Sequence, residues 1–355
     1  MIDNSAPEND SPGPGPTTDR IAENIRVRGV VQGVGFRPFV YRLANRLGLA
    51  GSVSNGDHGV EIRLEGSPAA IESFSIALLD EAPAAACIAE IERHPATAQG
   101  LQGFQIVDQA GAPRRPTARI SPDLATCPDC LRELRDPGDR RFGYPYLICT
   151  NCGPRYSLIL GLPYNRPRTT MRAWPLCPEC DREYRNPADR RFHAQPTACP
   201  HCGPHYHWRQ GDSLIRGDEA AIDRTIDALR SGQIVAIKGV GGYHLACNAR
   251  DEAAVAALRA RKFRKEKPFA LLARDLEQAR SLVELSTDAE SLLTSPARPI
   301  VLAPARALLP GVAPENGDLG VMLPSTPLHA LLFDGGAPDV LVVTSGNRSS
   351  EPIAI

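Results

Sequence analysis

Eight of the ten cysteines stand in four Cys-x-x-Cys pairs, Cys127/Cys130, Cys149/Cys152, Cys177/Cys180 and Cys199/Cys202, with eighteen residues separating the two pairs of each set. A Cys-x-x-Cys turn presents two thiolates from one tight knuckle, and two knuckles together close a tetrahedral zinc site that leaves no position for water. The spacing therefore predicts two structural Zn ions and no catalytic metal. Two pairings satisfy it: each repeat holds its own ion, or the outer pairs and the inner pairs combine. A shift of fifty residues superposes CPDCLRELRDPGDRRF (127–142) on CPECDREYRNPADRRF (177–192) and CTNCGPRY (149–156) on CPHCGPHY (199–206), so one module has been duplicated. His193, His201, His205 and His207 have no counterparts in the first repeat and read as surface histidines rather than ligands.

A second chemical signature lies near the N-terminus. In Gln32-Gly33-Val34-Gly35-Phe36-Arg37 the glycines let successive backbone N–H groups turn toward one point at a helix start, and Arg37 adds a guanidinium fork. Such a loop suits a tetrahedral oxyanion. The elements that must carry it follow from periodicity. IRVRGVV (25–31) reads as a strand; Phe36, Phe39, Val40, Leu43 and Leu47 make one face of a helix; Val60, Ile62 and Leu64 alternate with charged residues in a strand; Ile71, Phe74 and Leu78 stripe a second helix. Strand candidates near 86–93 and 103–107 complete a βαββαβ order, which predicts a ferredoxin-like α+β fold.

The string RGVVQGVGFRPFVYRLA, with GSVSNG placing Asn55 eighteen residues after Arg37, closely resembles the acylphosphatase family. The resemblance implies that Gln32, Gly33, Val34, Gly35 and Phe36 bind phosphate, that Arg37 orients and neutralises it, and that Asn55 positions the attacking water. An acyl phosphate is already activated, so its hydrolysis needs charge stabilisation and an oriented water more than a strong base.

Beyond the cysteine repeats, Asp218 opens an amphipathic helix (Ile222, Ile226, Leu229) that Gly232 can cap, and IVAIKGVGGYH (234–244) reads as a strand running into a glycine-rich loop. Alternating helices and β-rich segments imply an α/β domain. Within RARKFRKEKPFALLARD a charge run by itself reads as a solvated helix face. Together, Lys262-Phe263-Arg264 and Ser345-Gly346-Asn347 resemble the KxR and SxN pattern of the YrdC-like family, which makes carbamoyl-type adenylates from ATP. That resemblance implies a nucleotide and carbamate site at Lys262, Arg264, Lys267, Ser345 and Asn347, with ATP and Mg as the substrate complex. Ser325 stands where LPYTP would place a tyrosine.

An acylphosphatase region, a duplicated four-cysteine zinc module and a YrdC-like region in this order resemble the hydrogenase maturation carbamoyltransferase family, HypF. The resemblance implies a relay: carbamoyl phosphate is hydrolysed, carbamate passes to the third region, and ATP converts it to carbamoyl adenylate. In the family a further C-terminal domain moves the carbamoyl group to the C-terminal cysteine of the partner HypE. The sequence stops at Ile355, soon after TSGNRSSEP, so the end of the YrdC-like domain and the transferase domain are expected to be missing, and complete transfer with them.

Bulk properties constrain the alternatives. Forty basic and forty-one acidic side chains in 355 residues give a net charge of −1, so no global field favours nucleic acid or an anionic membrane. Neither an export signal nor an apolar run of membrane-spanning length is evident, which places the thiols in a reducing cytoplasm. Cys87 and Cys247 lie in apolar segments and read as small buried side chains. Pro, Gly, Ser, Asp and Asn dominate the start of the chain, and a second breaker-rich stretch covers 108–123. The expected organisation is a disordered leader at 1–22, an acylphosphatase-like domain at 23–110, the zinc-finger region at 120–208 and a YrdC-like domain at 215–355. Two rivals are weighed: synthesis of tRNA threonylcarbamoyl adenylate, suggested by the third region alone, and a zinc-ribbon RNA-binding protein using Arg140, Arg141, Arg190 and Arg191. An acylphosphatase region argues against the first; near-zero net charge and 5% aromatic content argue against the second.

Overall fold

A computed structural model of the chain describes residues 20–56, 58–83, 85–107, 121–162, 164–348 and 351–355. Most of the expected 1–22 leader and of the 108–123 stretch lies outside the described residues, and Ile21 and Ala22, counted with the leader, belong to the first strand.

The first sheet forms where valines and isoleucines alternate with charge. Strand β1 (Ile21–Val30), helix α1 (Phe36–Arg46), β2 (Ala50–Gly56), β3 (Gly59–Gly66), α2 (Pro68–Asp80), β4 (Cys87–Ala96) and β5 (Phe104–Ile106) follow in order. The sheet runs β4-β1-β3-β2-β5, with β1 antiparallel to both β3 and β4 and β2 antiparallel to β3. This is the ferredoxin-like arrangement predicted from periodicity. Val27, Val53, Val60 and Leu64 of the sheet pack on Val40, Leu43, Phe74 and Leu78 of the two helices. Ser67 caps α2 by accepting from the Ala70 N–H, and Pro68 at its first turn removes a donor that would go unpaired. Cys87 departs from expectation: it is exposed, because its apolar neighbours sit on β4, an edge strand whose residues are largely half-buried or open.

Two short helices, α3 (Pro128–Arg135) and α4 (Pro178–Arg185), mark the duplicated modules. A hairpin, β6 (His207–Gln210) with β7 (Ser213–Arg216), leads into the third region.

There α5 (Asp218–Arg230), β8 (Val235–Lys238), β9 (Tyr243–Asn248), α6 (Glu252–Lys262), β10 (Ala270–Ala273), α7 (Leu276–Leu282), α8 (Thr287–Thr294), β11 (Val301–Pro304), β12 (Asp318–Met322), α9 (Pro327–Asp334) and β13 (Val340–Ser345) build a mixed sheet. Its order is β11-β12-β10-β13-β9-β8; β10 and β12 are parallel and the other neighbours antiparallel. One face packs on α5 and α9 through Ile226, Leu229, Leu332 and Leu341, and the other forms a larger core around Val255, Leu258, Leu271 and Val342. Gly232 follows α5 at φ 73°, the left-handed position that glycine adopts without a Cβ penalty. Cys247 is buried there as expected, and burial followed by the nearby Asp251 charge pushes its thiol up to about 12. Among the described residues no helix is long and apolar enough to cross a membrane.

Candidate functional site

The eight knuckle cysteines collect into two clusters, Cys127/Cys130/Cys149/Cys152 and Cys177/Cys180/Cys199/Cys202. Each repeat therefore supplies its own site, and the nested pairing is excluded. Neighbouring Sγ atoms stand 3.6–3.8 Å apart. A tetrahedron with Zn–S bonds near 2.3 Å has edges of about 3.8 Å, whereas a disulfide needs about 2.05 Å, so the geometry fits zinc and not oxidation. Cys127 and Cys177 sit at the N-caps of α3 and α4, with Pro128 and Pro178 next in line, so helix N-termini face the thiolates. His201, His205 and His207 are exposed and none of the four histidines joins a cluster.

The modules hold each other by reciprocal contacts related by the fifty-residue shift. Arg140 and Arg141 of the first reach Glu183 and the Cys180 Sγ of the second. Arg190 and Arg191 of the second reach Glu133, and Arg190 the Cys130 Sγ, of the first. Arg141 Nε donates to the Ala198 carbonyl and Arg191 Nε to that of Ile148, again fifty residues apart. Burial pushes the Glu133 and Glu183 carboxyls up, but the paired guanidinium groups outweigh it and hold both below the ordinary range. This corrects the RNA-binding alternative: Arg141 and Arg191 are 1% and 4% exposed and already spent, so they cannot reach an external phosphate backbone.

The glycine-rich loop expected to bind phosphate, the phosphate loop hereafter, lies at the start of α1. Gly33 and Gly35 both have φ 75°, which turns the loop N–H groups inward. A Cβ on Gly33 would stand 3.3 Å from the Arg155 side chain, and one on Gly35 would stand 3.4 Å from Thr150, so the glycines also admit the finger module above them. The Gln32 side chain is engaged within the fold: its amide nitrogen donates to the Gly56 and Gly59 carbonyls at 2.9 and 2.8 Å, closing the β2–β3 turn. Val34 and Phe36 bury their side chains in the core, leaving backbone for the ligand.

A cleft lined by Gly33, Arg37, Asn55, Arg155, Tyr164 and His193 joins this loop to the finger region. Arg37 and Asn55 are 6% and 4% exposed. Asn55 Nδ2 donates to the Tyr164 carbonyl at 3.2 Å, while its buried Oδ1 has no partner among the described residues. The Tyr164 N–H donates to Gln32 Oε1 at 3.3 Å. Arg155 donates to the Gly33 carbonyl and to those of Cys149, Thr150 and Cys152, tying the first zinc cluster to the loop. The expectation for His193 fails: it is half-buried at φ 54°, packed on Phe192 and Tyr184, and faces the cleft.

In the third region Lys262, Ser345 and Asn347 come together. Lys262 Nζ donates to the Ser345 carbonyl, to Asn347 O at 2.7 Å and to Asn347 Oδ1 at 2.8 Å, and Ser345 Oγ donates to Asn347 Oδ1 at 2.6 Å. Burial, then repulsion from Arg264, holds the lysine below its ordinary value. Arg264 turns aside, donating to the Lys267 and Pro268 carbonyls and stacking on Phe269, and the Lys267 side chain is exposed. Phe263 causes the divergence, since its φ of 54° ends α6 between Lys262 and Arg264. Ser325 donates its N–H to Nδ1 of the half-buried His329, whose imidazole is held down to about 4 by desolvation and then by His244.

Sequence reasoning missed Arg155 and Tyr164. Arg155 carried a signal, for its repeat counterpart is His205 and the divergence marks one copy as specialised. Tyr164 carried none, being one of several aromatics in an aperiodic connector.

Comparison with known proteins follows the same three-part division. The family model described as Acylphosphatase matches residues 23–106, that described as HypF finger matches 126–159 and 176–208, and the Sua5/YciO/YrdC model described as Telomere recombination matches 227–355. "Carbamoyltransferase HypF" of Rhodobacter capsulatus is 52% identical over 338 residues, 94% of this chain and 44% of that protein. "Carbamoyltransferase HypF" of Rhizobium leguminosarum is 48% identical over 93% of this chain and 42% of that protein. A crystal structure of full-length HypF in the phosphate- and nucleotide-bound form superposes with a TM-score of 0.88 at 43% identity, covering 96% of this chain and 45% of that one. The chain thus spans less than half the length of the relatives it matches.

Proposed function

We propose, from the premise that this chain belongs to the carbamoyltransferase HypF family, that it hydrolyses carbamoyl phosphate at the Arg37–Asn55 cleft and activates the released carbamate with ATP at the Lys262 cluster, within hydrogenase maturation. One observation carries the first step. Asn55 Oδ1 is a buried acceptor without a partner, fixed by its own Nδ2 beside Arg37 and the αL-glycine loop. Leaving such an atom unpaired costs about 1–3 kcal/mol, which a bound water or substrate recovers.

The chemistry follows from those positions. Backbone N–H groups of Gly33 to Phe36 and the Arg37 guanidinium hold the phosphoryl oxygens and stabilise the charge that grows on them. Asn55 Oδ1 accepts a hydrogen bond from a water and aims its oxygen at phosphorus. The P–O bond to the acyl group breaks, carbamate leaves with the bonding pair, and the water's proton passes to solvent through phosphate. Zinc, when held by the eight cysteines, supplies structure: it fixes the segment that reaches Asn55.

For the second step, Lys262, Arg264 and Lys267 would meet the phosphates of MgATP, and Ser345 and Asn347 the nucleotide or carbamate. Carbamate oxygen attacks the α-phosphorus, giving carbamoyl adenylate and releasing pyrophosphate. A HypE-type protein with a C-terminal cysteine is the expected acceptor in the wider reaction, and the cytoplasm its compartment. The tRNA-modifying alternative rests on residues 227–355 alone and leaves the first cleft without a purpose.

The test is phosphate release from carbamoyl phosphate by the 355-residue chain. Arg37→Ala is expected to lower it roughly 100-fold with zinc content and circular dichroism retained. An unchanged rate in that folded variant removes the assignment. Carbamoyl-phosphate-dependent exchange of pyrophosphate into ATP, abolished by Lys262→Ala, tests the second step.

A further inference from the structure

We infer that Tyr164, from the connector between the two zinc modules, is a substrate-contacting residue whose hydroxyl accepts a hydrogen bond from the carbamoyl amide and so selects carbamoyl phosphate over simple acyl phosphates. The inference rests on the hydrolysis proposed above and adds to it a residue outside the acylphosphatase-like fold.

Tyr164 is 4% exposed, and its Oη has no hydrogen-bond partner among the described residues. A buried phenol ordinarily finds one. The ring lies against the phosphate loop, its edge carbons 3.4–3.5 Å from where a Gly33 Cβ would stand, and the residue lines the cleft beside Arg37 and Asn55. Burial keeps the phenol protonated, despite the opposing pull of Arg155.

What the hydroxyl is for follows from counting acceptors. Phosphate is met by donors: loop N–H groups and Arg37. Carbamoyl phosphate differs from acetyl phosphate in carrying an N–H₂ where the latter carries a methyl, and those hydrogens need acceptors once water is excluded. Around the cleft Gln195 Oε1 is taken by the Arg166 N–H and Tyr184 Oη, and the Thr150 hydroxyl, which donates to the Arg190 carbonyl, is only half-buried. Asn55 Oδ1 and Tyr164 Oη are buried without a partner among the described residues. The first is committed to the water, which leaves the second for the amide. A site that hydrogen-bonds a polar group discriminates strongly against an analogue lacking it, because its own buried atom is then left unpaired. An isolated acylphosphatase-like fold has no counterpart to this residue, since Tyr164 arrives from the finger region.

Tyr164→Phe in the full chain is the decisive variant. It removes one oxygen and keeps the ring on Gly33 and the backbone carbonyl that holds Asn55. The carbamoyl-to-acetyl phosphate ratio of kcat/KM is expected to fall roughly 10-fold or more, with the inhibition constant of inorganic phosphate shifting less than about twofold. An unchanged ratio overturns the inference. So does a rise in the phosphate inhibition constant matching the loss on carbamoyl phosphate, which would place the hydroxyl on the phosphoryl group. Wild-type chain that releases no phosphate from either compound fails the underlying hydrolysis instead, and Arg37→Ala run alongside separates the two cases. Retained zinc content shows that the variant is folded.

Discussion

The two zinc modules are copies of one sequence, yet they do different work with equivalent positions. Their brackets match residue for residue: Arg141 against Arg191, Glu133 against Glu183, Ile148 against Ala198. Their outward surfaces do not. Arg155 of the first module grips the phosphate loop, while its counterpart His205 pairs with Asp218 at the start of α5. Tyr146 of the first stacks on Tyr206 at 4.9 Å, on the side of the third region, while its counterpart Pro196 lines the cleft. Duplication about an approximate two-fold produces two equivalent composite faces, each built from the second knuckle of one module and the loop after the helix of the other. One face received the phosphate loop and the other the third region. What is shared between copies is fold; what differs is docking.

The largest effect should come from breaking one copy's metal. Cys127→Ala with Cys152→Ala is expected to halve zinc content, from two ions to one, whereas Cys127→Ala with Cys199→Ala should remove both. Elemental analysis decides; one ion retained in the second double variant would contradict the separate clusters.

Next come the reciprocal brackets. Arg141→Met and Arg191→Met should each destabilise the chain by about 3 kcal/mol, since each removes a buried guanidinium from a half-buried carboxylate and from the backbone carbonyl it holds. The two losses, measured by denaturant unfolding of the zinc-loaded protein, should agree within about 1 kcal/mol if the approximate two-fold is energetic as well as geometric.

Arg155→Met and His205→Ala should then part company. The first removes a fork held by carbonyls of the loop and the first knuckle and should slow carbamoyl phosphate hydrolysis roughly 10-fold; the second should change it less than twofold. Equal effects would erase the division of labour. The smallest change expected is at Gly143, the counterpart of His193. Its φ is 65° and a Cβ placed there would meet only open space, so Gly143→Ala should cost only about 1 kcal/mol, readable as a small drop in unfolding midpoint.

Much of this is legible in sequence because the informative contacts are short-range. Gly33, Gly35 and Arg37 fall in one turn, Cys-x-x-Cys knuckles are local, and the alternation of Val60, Ile62 and Leu64 declares a strand without reference to any partner. Pairing of the knuckles is not legible, because both arrangements close loops of allowable length and only three-dimensional packing chooses. The roles of Arg140, Arg141, Arg190 and Arg191 are hidden for a related reason: a guanidinium reads the same whether it faces solvent or a carboxylate 42 to 58 residues away on a sister module. The arrangement at Arg264 is hidden as well, since KxR spacing does not reveal the left-handed Phe263 that turns the Lys262 and Arg264 side chains apart. Cys87 misleads because an edge strand can be apolar in sequence and open in space.

The hydrogen bond from Asn55 to the Tyr164 carbonyl has a thermodynamic consequence. Tyr164 lies in the chain between the two four-cysteine clusters, so the ions that order this segment also favour the amide orientation that a phosphate-bound site uses. Two ligands that prefer the same conformation assist each other equally in both directions. Saturating phosphate should therefore tighten zinc binding in equilibrium competition with a chelator, and metal-depleted chain should bind phosphate more weakly by the same factor. Metal supply would then set the affinity of a cleft that none of the eight cluster cysteines lines.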